Sequence, residues 1–228
     1  MGMMKKRIKV IFVLAGLSAT TLIPISTASA ADAAVSCKPA KSAGHAPMKL
    51  DLPKIKKPFR DRTITLKTNC GNIVIAAYGT KAPLTVISMS YLANRGYFDN
   101  SLCHRLTTQG LYVLQCGDPT LTGAGNPTGW KGYKDENLPK NANNNYPAGT
   151  VAMANSGPGT NGSQVFFVYS DTTLGANYTI WGKITKGLDI VQYVAKQGAI
   201  TKDSTGKLVY AGDGFTAQPV QIKSAKVS

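Results

Sequence analysis

The sequence predicts a mainly β protein, an antiparallel barrel or sandwich capped by two α-helices. Three observations carry that prediction. Short runs of alternating polar and apolar residues recur, each bounded by Gly, Asn or Pro. Only two segments have helical spacing. The strands also lack the regularly interposed helices that parallel pairing requires.

Taken in order, the chain opens with a cationic start (Lys5, Lys6, Arg7, Lys9), an apolar run from Val10 to Ile25, and Ala28-Ser29-Ala30. That layout predicts a signal peptide over residues 1–30, cut after Ala30; the apolar run is short and interrupted for a membrane span. Residues 31–61 are rich in Ala, Pro and Lys with little apolar periodicity, as in a tether, and the folded domain is expected over residues 62–228. Thr63–Thr68 alternates, Asn69-Cys70-Gly71-Asn72 reads as a turn, and Ile73–Tyr78 returns, so this is a hairpin. A helix follows, with Pro83 in its first turn, Val86, Met89, Leu92 and Ala93 apolar, and Gly96 as its stop.

A second hairpin joins Leu102–Leu106 to Leu111–Cys116. The long Gly-, Pro- and Asn-rich segment 117–149 reads as a functional loop. After it come a strand at Gln164–Tyr169, another at Thr179–Ile184, and a helix from Gly187 to Ala195 that ends at Gly198. Residues 199–217 read as a loop, and Pro219–Val227 as a closing strand.

The 228 residues carry a formal charge of +15, and removing the signal peptide takes away four basic residues and no acidic one, leaving +11. Basicity of that size favours anionic surfaces such as cell-wall polymers. The basic residues are nevertheless spread along the chain with no stripe interleaved with aromatics, which argues against specific nucleic-acid binding. Cys37, Cys70, Cys103 and Cys116 form an even set in an exported chain and predict two disulfides. Three pairings are open. Neighbouring strands favour Cys103–Cys116 with Cys37–Cys70, and no C-x₂₋₄-C spacing supports zinc.

Most catalytic constellations are missing. Gly123–Gly129 is not a dinucleotide fingerprint, no Walker lysine follows a glycine run, and Cys103 and His104, as strand neighbours, point apart. His104 is expected as a satisfied buried histidine. What remains is Met153–Ser163, small and turn-prone with accessible backbone, running into a strand where Gln164 and Phe166 share one face. On the second hairpin Arg105 and Gln115 can meet across the strands.

Phe98-Asp99-Asn100-Ser101-Leu102-Cys103-His104-Arg105, Gln115-Cys116-Gly117-Asp118-Pro119 and Met153-Ala154-Asn155-Ser156-Gly157-Pro158-Gly159-Thr160-Asn161-Gly162-Ser163-Gln164-Val165-Phe166-Phe167 together resemble the cyclophilin-type peptidyl-prolyl cis-trans isomerases of bacterial, exported kind. The resemblance covers residues 62–198 and the closing strand. It implies a closed eight-stranded antiparallel β-barrel capped by two α-helices. Carried over by motif, it implies Arg105 as the catalytic arginine and Gln115 as the glutamine of the F-M-x-Q segment, with Tyr112 and Val113 as its phenylalanine and methionine. Ala154, Asn155 and Ser156 would form the backbone ledge that holds the peptide. Gln164 and Phe166 would be the second polar and floor positions, Leu174 the pocket leucine, and Tyr178 would stand where many members carry histidine.

The implied partners are proline-containing peptides and unfolded exported proteins, met by a monomer with no cofactor, metal or nucleic acid. Three departures stand out. The hairpin loop from Leu106 to Leu111 is two residues longer than the common pattern. Thr173 replaces a tryptophan of animal members, which implies weakened cyclosporin binding. Cys103-His104-Arg105 replaces F-H-R. Two rival functions are a proline-directed binding module with little catalysis and a wall-binding protein driven by charge; turnover of an X-Pro peptide separates both from an isomerase.

Overall fold

A computed structural model describes residues 34–228, so the expected signal peptide at residues 1–30 falls outside the described residues. The first hairpin is β1 (Arg62–Thr68) and β2 (Gly71–Ala77), with Ile64 paired to Ile75 and Leu66 to Ile73. Those four side chains are buried, because alternation puts every second residue on the core face. Helix α1 (Pro83–Asn94) lays Val86, Met89, Leu92 and Ala93 on the core. Its N-terminus lacks a capping side chain of its own. Glu136, from the long loop, supplies one: its two carboxylate oxygens accept the Leu84 and Thr85 N–H groups at 3.0 and 2.9 Å, anchoring that loop on the positive end of the helix.

The chain continues through β3 (Ser101–Leu102), β4 (Arg105–Thr107), β5 (Val113–Cys116), β6 (Thr150–Met153), β7 (Val165–Val168) and β8 (Ile180–Lys186) to α2 (Leu188–Gln197). Four more strands follow: β9 (Ala199–Lys202), β10 (Leu208–Ala211), β11 (Asp213–Thr216) and β12 (Gln221–Val227). All pair antiparallel in one sheet of order β10-β9-β11-β4-β5-β7-β6-β8-β2-β1-β12-β3. The sheet has twelve strands and its hydrogen bonds do not close it, which departs from the closed eight-stranded barrel expected. Two causes account for the difference. The ladder is interrupted at Cys103-His104, where Cys103 N–H bonds Val220 of one neighbour and His104 N–H bonds Gln115 of another. The second cause is that residues 199–216, expected as a loop, form three additional strands.

Those three strands escape the sequence reading because they are short and interrupted by Asp, Lys and Gly. Their turn is nonetheless written plainly. The Asp203 carboxylate accepts the Thr205 N–H at 2.8 Å and the Lys207 N–H at 3.0 Å, and Gly206 takes a φ of 83° that few other residues tolerate. Strand β6 is missed for the opposite reason. All four of its residues are buried, so it shows no alternation.

Both disulfides form in the favoured pairing, Cys37–Cys70 and Cys103–Cys116. The first ties the N-terminal segment to the β1–β2 turn. Residues 34–61, expected as a tether, contain no helix or strand, yet they lie in one compact unit with the rest of the described chain. Val35 and Leu50 pack on the core, Lys38 N–H reaches the Asn69 carbonyl at 2.9 Å, and Trp130 Nε1 donates to the Leu50 carbonyl at 2.8 Å.

Candidate active site

Cross-strand register assembles the site. Arg105 of β4 faces Gln115 of β5, Gln115 faces Phe166 of β7, and Phe166 faces Ala152 of β6. Directly paired residues share a sheet face, so these four form one row. Phe166 and Ala152 of the row join Val113, Tyr146 and Val168 in a second apolar cluster, separate from the main core. Above it opens a hollow of about 140 Å³ lined by Arg105, Leu111, Val113, Gln115, Ala154, Asn155, Phe166, Leu174 and Tyr178.

Eight of the eleven residues expected from sequence therefore meet at one cavity. Three do not line it. Tyr112 points away, into a separate groove with Tyr169, their rings edge to face at 6.0 Å. The period of two explains the exchange: Val113 and Gln115 face the hollow, so Leu111 continues their face and Tyr112 cannot. Ser156 is exposed and gives its N–H to Thr160 Oγ1 at 2.8 Å. Gln164 is buried behind Gln115 and acts through it.

That action is visible in a chain of hydrogen bonds. Arg105 Nη1 donates to Gln115 Oε1 at 3.3 Å, Gln115 Nε2 to Gln164 Oε1 at 2.8 Å, and Gln164 Nε2 to the carbonyls of Gly123 and Gly125 at 2.9 and 3.1 Å. The Asp118 carboxylate fixes the glycine loop in turn, accepting the Thr120 and Gly123 N–H groups at 2.7 Å each. A side chain at position 125 is excluded, since its Cβ would lie 1.9 Å from Asp118 Oδ1. The arginine is thus oriented from the long loop that the sequence marks as functional without naming a site residue in it.

A second partner holds the guanidinium from the other side. Asp213 of β11 accepts Arg105 Nε at 2.8 Å and Nη2 at 2.6 Å, a bidentate pair. Its hydrogen bonds raise the guanidinium pKa above the ordinary value, burial opposing in part. Both side chains remain accessible, at 39% and 54%. Sequence reasoning missed Asp213 because it lies in the segment read as a loop. It also missed Tyr146, fully buried under the hollow, whose hydroxyl bonds the Gly175 and Tyr178 carbonyls at 3.2 Å and positions the Tyr178 wall.

The expected ledge is open only in part. Ala154 N–H is spent on the Gln164 carbonyl at 3.0 Å, but the backbone N–H and C=O of Asn155 have no partner among the described residues. The Asn155 side chain is tied down by donating to the Asn177 carbonyl at 2.9 Å. An extended peptide can pair with that exposed backbone as with a strand edge.

His104 is buried, as expected, but it is not satisfied: neither ring nitrogen has a partner among the described residues. Burial pushes its pKa below the ordinary 6.5, the charge of Asp118 opposing in part. A base harder to protonate when folded contributes stability above about pH 6.5 and loses it as the pH falls below, because the unfolded chain then binds the proton. The urea midpoint should accordingly fall between pH 7 and pH 5 by more in the natural chain than in His104→Leu. Equal falls would contradict this role.

Residues 63–227 match the family model described as cyclophilin type peptidyl-prolyl cis-trans isomerase/CLD. A probable peptidyl-prolyl cis-trans isomerase B of Mycobacterium leprae is 39% identical over 206 residues, 85% of this chain and 67% of its own length. A probable peptidyl-prolyl cis-trans isomerase B of Mycobacterium tuberculosis is 42% identical over 158 residues, 64% of this chain and 50% of its own length. The match thus spans half to two thirds of these relatives. A solved cyclophilin-type isomerase of Cryptosporidium parvum, 24% identical, covers 74% of this chain and 98% of its own with a TM-score of 0.60, a likeness of fold.

Proposed function

Because the chain belongs to the cyclophilin-type peptidyl-prolyl cis-trans isomerase family, we propose that it accelerates rotation about X-Pro bonds in exported, unfolded polypeptides, with Arg105 as the group that stabilises the twisted amide. The observation that carries the reading is a guanidinium fixed from two sides at the rim of an apolar hollow, opposite exposed peptide backbone. Taking β3 and β4 as one bent stave, and β9 to β11 as an added ribbon, reduces the sheet to the eight staves expected of the family's barrel.

Resonance makes the peptide C–N bond partly double and sets a barrier of about 18–20 kcal/mol to its rotation. At the top of that barrier the proline nitrogen carries a lone pair that the planar amide lacks. A fixed donor aimed at this atom binds the twisted state better than either planar state, which is the condition for catalysis. Asp213 engages Arg105 through Nε and Nη2, so Nη1, on the Gln115 side, is the edge turned to the substrate. Phe166, Val113 and Leu174 hold the proline ring and exclude water, strengthening the charge that Arg105 presents. Asn155 holds one flank of the peptide, so that the rotation is confined to the other.

Export is supported by the cationic and apolar start of the chain and by four cysteines, all paired in a form that an oxidising compartment maintains. The enzyme acts as a monomer. With Thr173 in place of tryptophan next to the pocket residue Leu174, cyclosporin binds weakly. The test of the activity is cis–trans exchange of an X-Pro peptide in the presence of catalytic amounts of the chain.

A further inference from the structure

We infer that the outer face of the β9–β11 ribbon extends the substrate surface beyond Arg105 and receives a bulky apolar side chain of the same polypeptide whose proline occupies the hollow. The inference rests on the isomerase reading above. Three large apolar side chains stand in solvent on this ribbon: Tyr210 at 77% exposure, Leu208 at 58% and Phe215 at 52%. A cluster of that kind on one face marks an interaction surface rather than scattered surface apolarity.

Register shows that it is one surface. Tyr210 pairs with Ile200, and Ile200 pairs with Phe215, so the three form a row across β10, β9 and β11. Phe215 lies two residues beyond Asp213 on the same strand and therefore shares its face. Asp213 in turn grips Arg105. The row Tyr210, Ile200, Phe215 thus continues, across that ion pair, the row Arg105, Gln115, Phe166 that supports the hollow. On the opposite face of the ribbon Ala199 and Thr216 are buried, so the exposed side is the one turned outward. Gly198, with a φ of 91°, leaves room for the Tyr210 ring to lie along the ribbon: a Cβ there would sit 2.9 Å from its Cδ1.

Strand spacing sets the reach. Neighbouring strands lie about 4.8 Å apart, so Phe215 is about 14 Å and Tyr210 about 24 Å from the strand of Phe166, or about four and seven residues of extended chain. The occupant is an extended polypeptide with a large apolar or aromatic residue about four to seven positions from its proline, a pattern that unfolded chains expose and folded surfaces hide. Because the row leaves the hollow in one direction, the preference falls on one side of the proline only.

The test compares kcat/KM of the natural chain and the Tyr210→Ser/Phe215→Ser double variant on three kinds of X-Pro peptide: a four-residue peptide too short to reach the ribbon, and long peptides with leucine or with serine at the outlying positions, on either side of the proline. The leucine peptide should be favoured about five- to tenfold on one side, through KM, in the natural chain. The double variant should lose that preference and turn over the short peptide unchanged. Equal KM values for leucine and serine, a preference alike on both sides, or a preference that survives the double substitution would overturn the inference. So would a natural chain that sediments as a dimer while the double variant is a monomer, since the face would then belong to a second copy. Failure of the natural chain to turn over the short peptide would instead remove the isomerase reading, and this extension with it.

Discussion

Arg105→Ala is expected to lower kcat/KM on an X-Pro peptide about ten- to a hundredfold while leaving the fold intact. The size follows from the worth of a hydrogen bond to a charged group, about 1.5–3 kcal/mol, converted at about 1.4 kcal/mol per tenfold in rate. The intact fold follows from exposure. The Arg105–Asp213 pair is accessible on both sides, and exposed pairs contribute about 0–1 kcal/mol to stability. Removing the guanidinium leaves Asp213 hydrated rather than buried and unpaired. Arg105→Lys should recover little, because an ammonium cannot engage Asp213 bidentately and present a fixed donor at the same time. The kinetic loss should appear mainly in kcat, since the interaction belongs to the twisted state. A loss confined to KM would place Arg105 in substrate binding alone.

Phe166→Ala carries the second large effect, and it falls on both stability and turnover. The ring is 4% exposed and sits edge to face with Tyr178 at 5.6 Å and tilted against Tyr146 at 6.1 Å. Removing a buried phenylalanine costs about 3–5 kcal/mol, part of it for the cavity left behind. Here the same atoms also form the floor of the hollow. The unfolding free energy from urea titration should drop by an amount in that range, and KM for an X-Pro peptide should rise at least about tenfold under conditions where the variant remains folded. Lower stability with an unchanged KM would make Phe166 a core residue only.

How much of this was legible depends on which contacts are local. Arg105, Gln115 and Phe166 could be read because each lies on a regular strand whose period fixes its face, and register then brings them together. Tyr112 could not, because it precedes the first paired residue of β5, Val113, and the long preceding loop hides the phase of the alternation. Leu111 takes its place for that reason. The fully buried β6 was silent for want of alternation, and β9 to β11 because their polar interruptions resemble a loop. Asp213 could not be found from the motif, since its partner lies 108 residues earlier in the chain. The Glu136 cap of α1 and the packing of residues 34–61 are likewise long-range contacts that no local pattern announces.

One measurement bears most directly on the central claim that this hollow and its arginine turn prolyl bonds. It is the cis–trans exchange rate of a short X-Pro peptide, followed by NMR exchange spectroscopy as substoichiometric amounts of the chain are added. Exchange should rise in proportion to added protein, well above the uncatalysed rate with its time constant of tens of seconds or more, and the slope against added protein should fall about ten- to a hundredfold with Arg105→Ala. Exchange that stays at the spontaneous rate while the peptide binds in the hollow would contradict that claim.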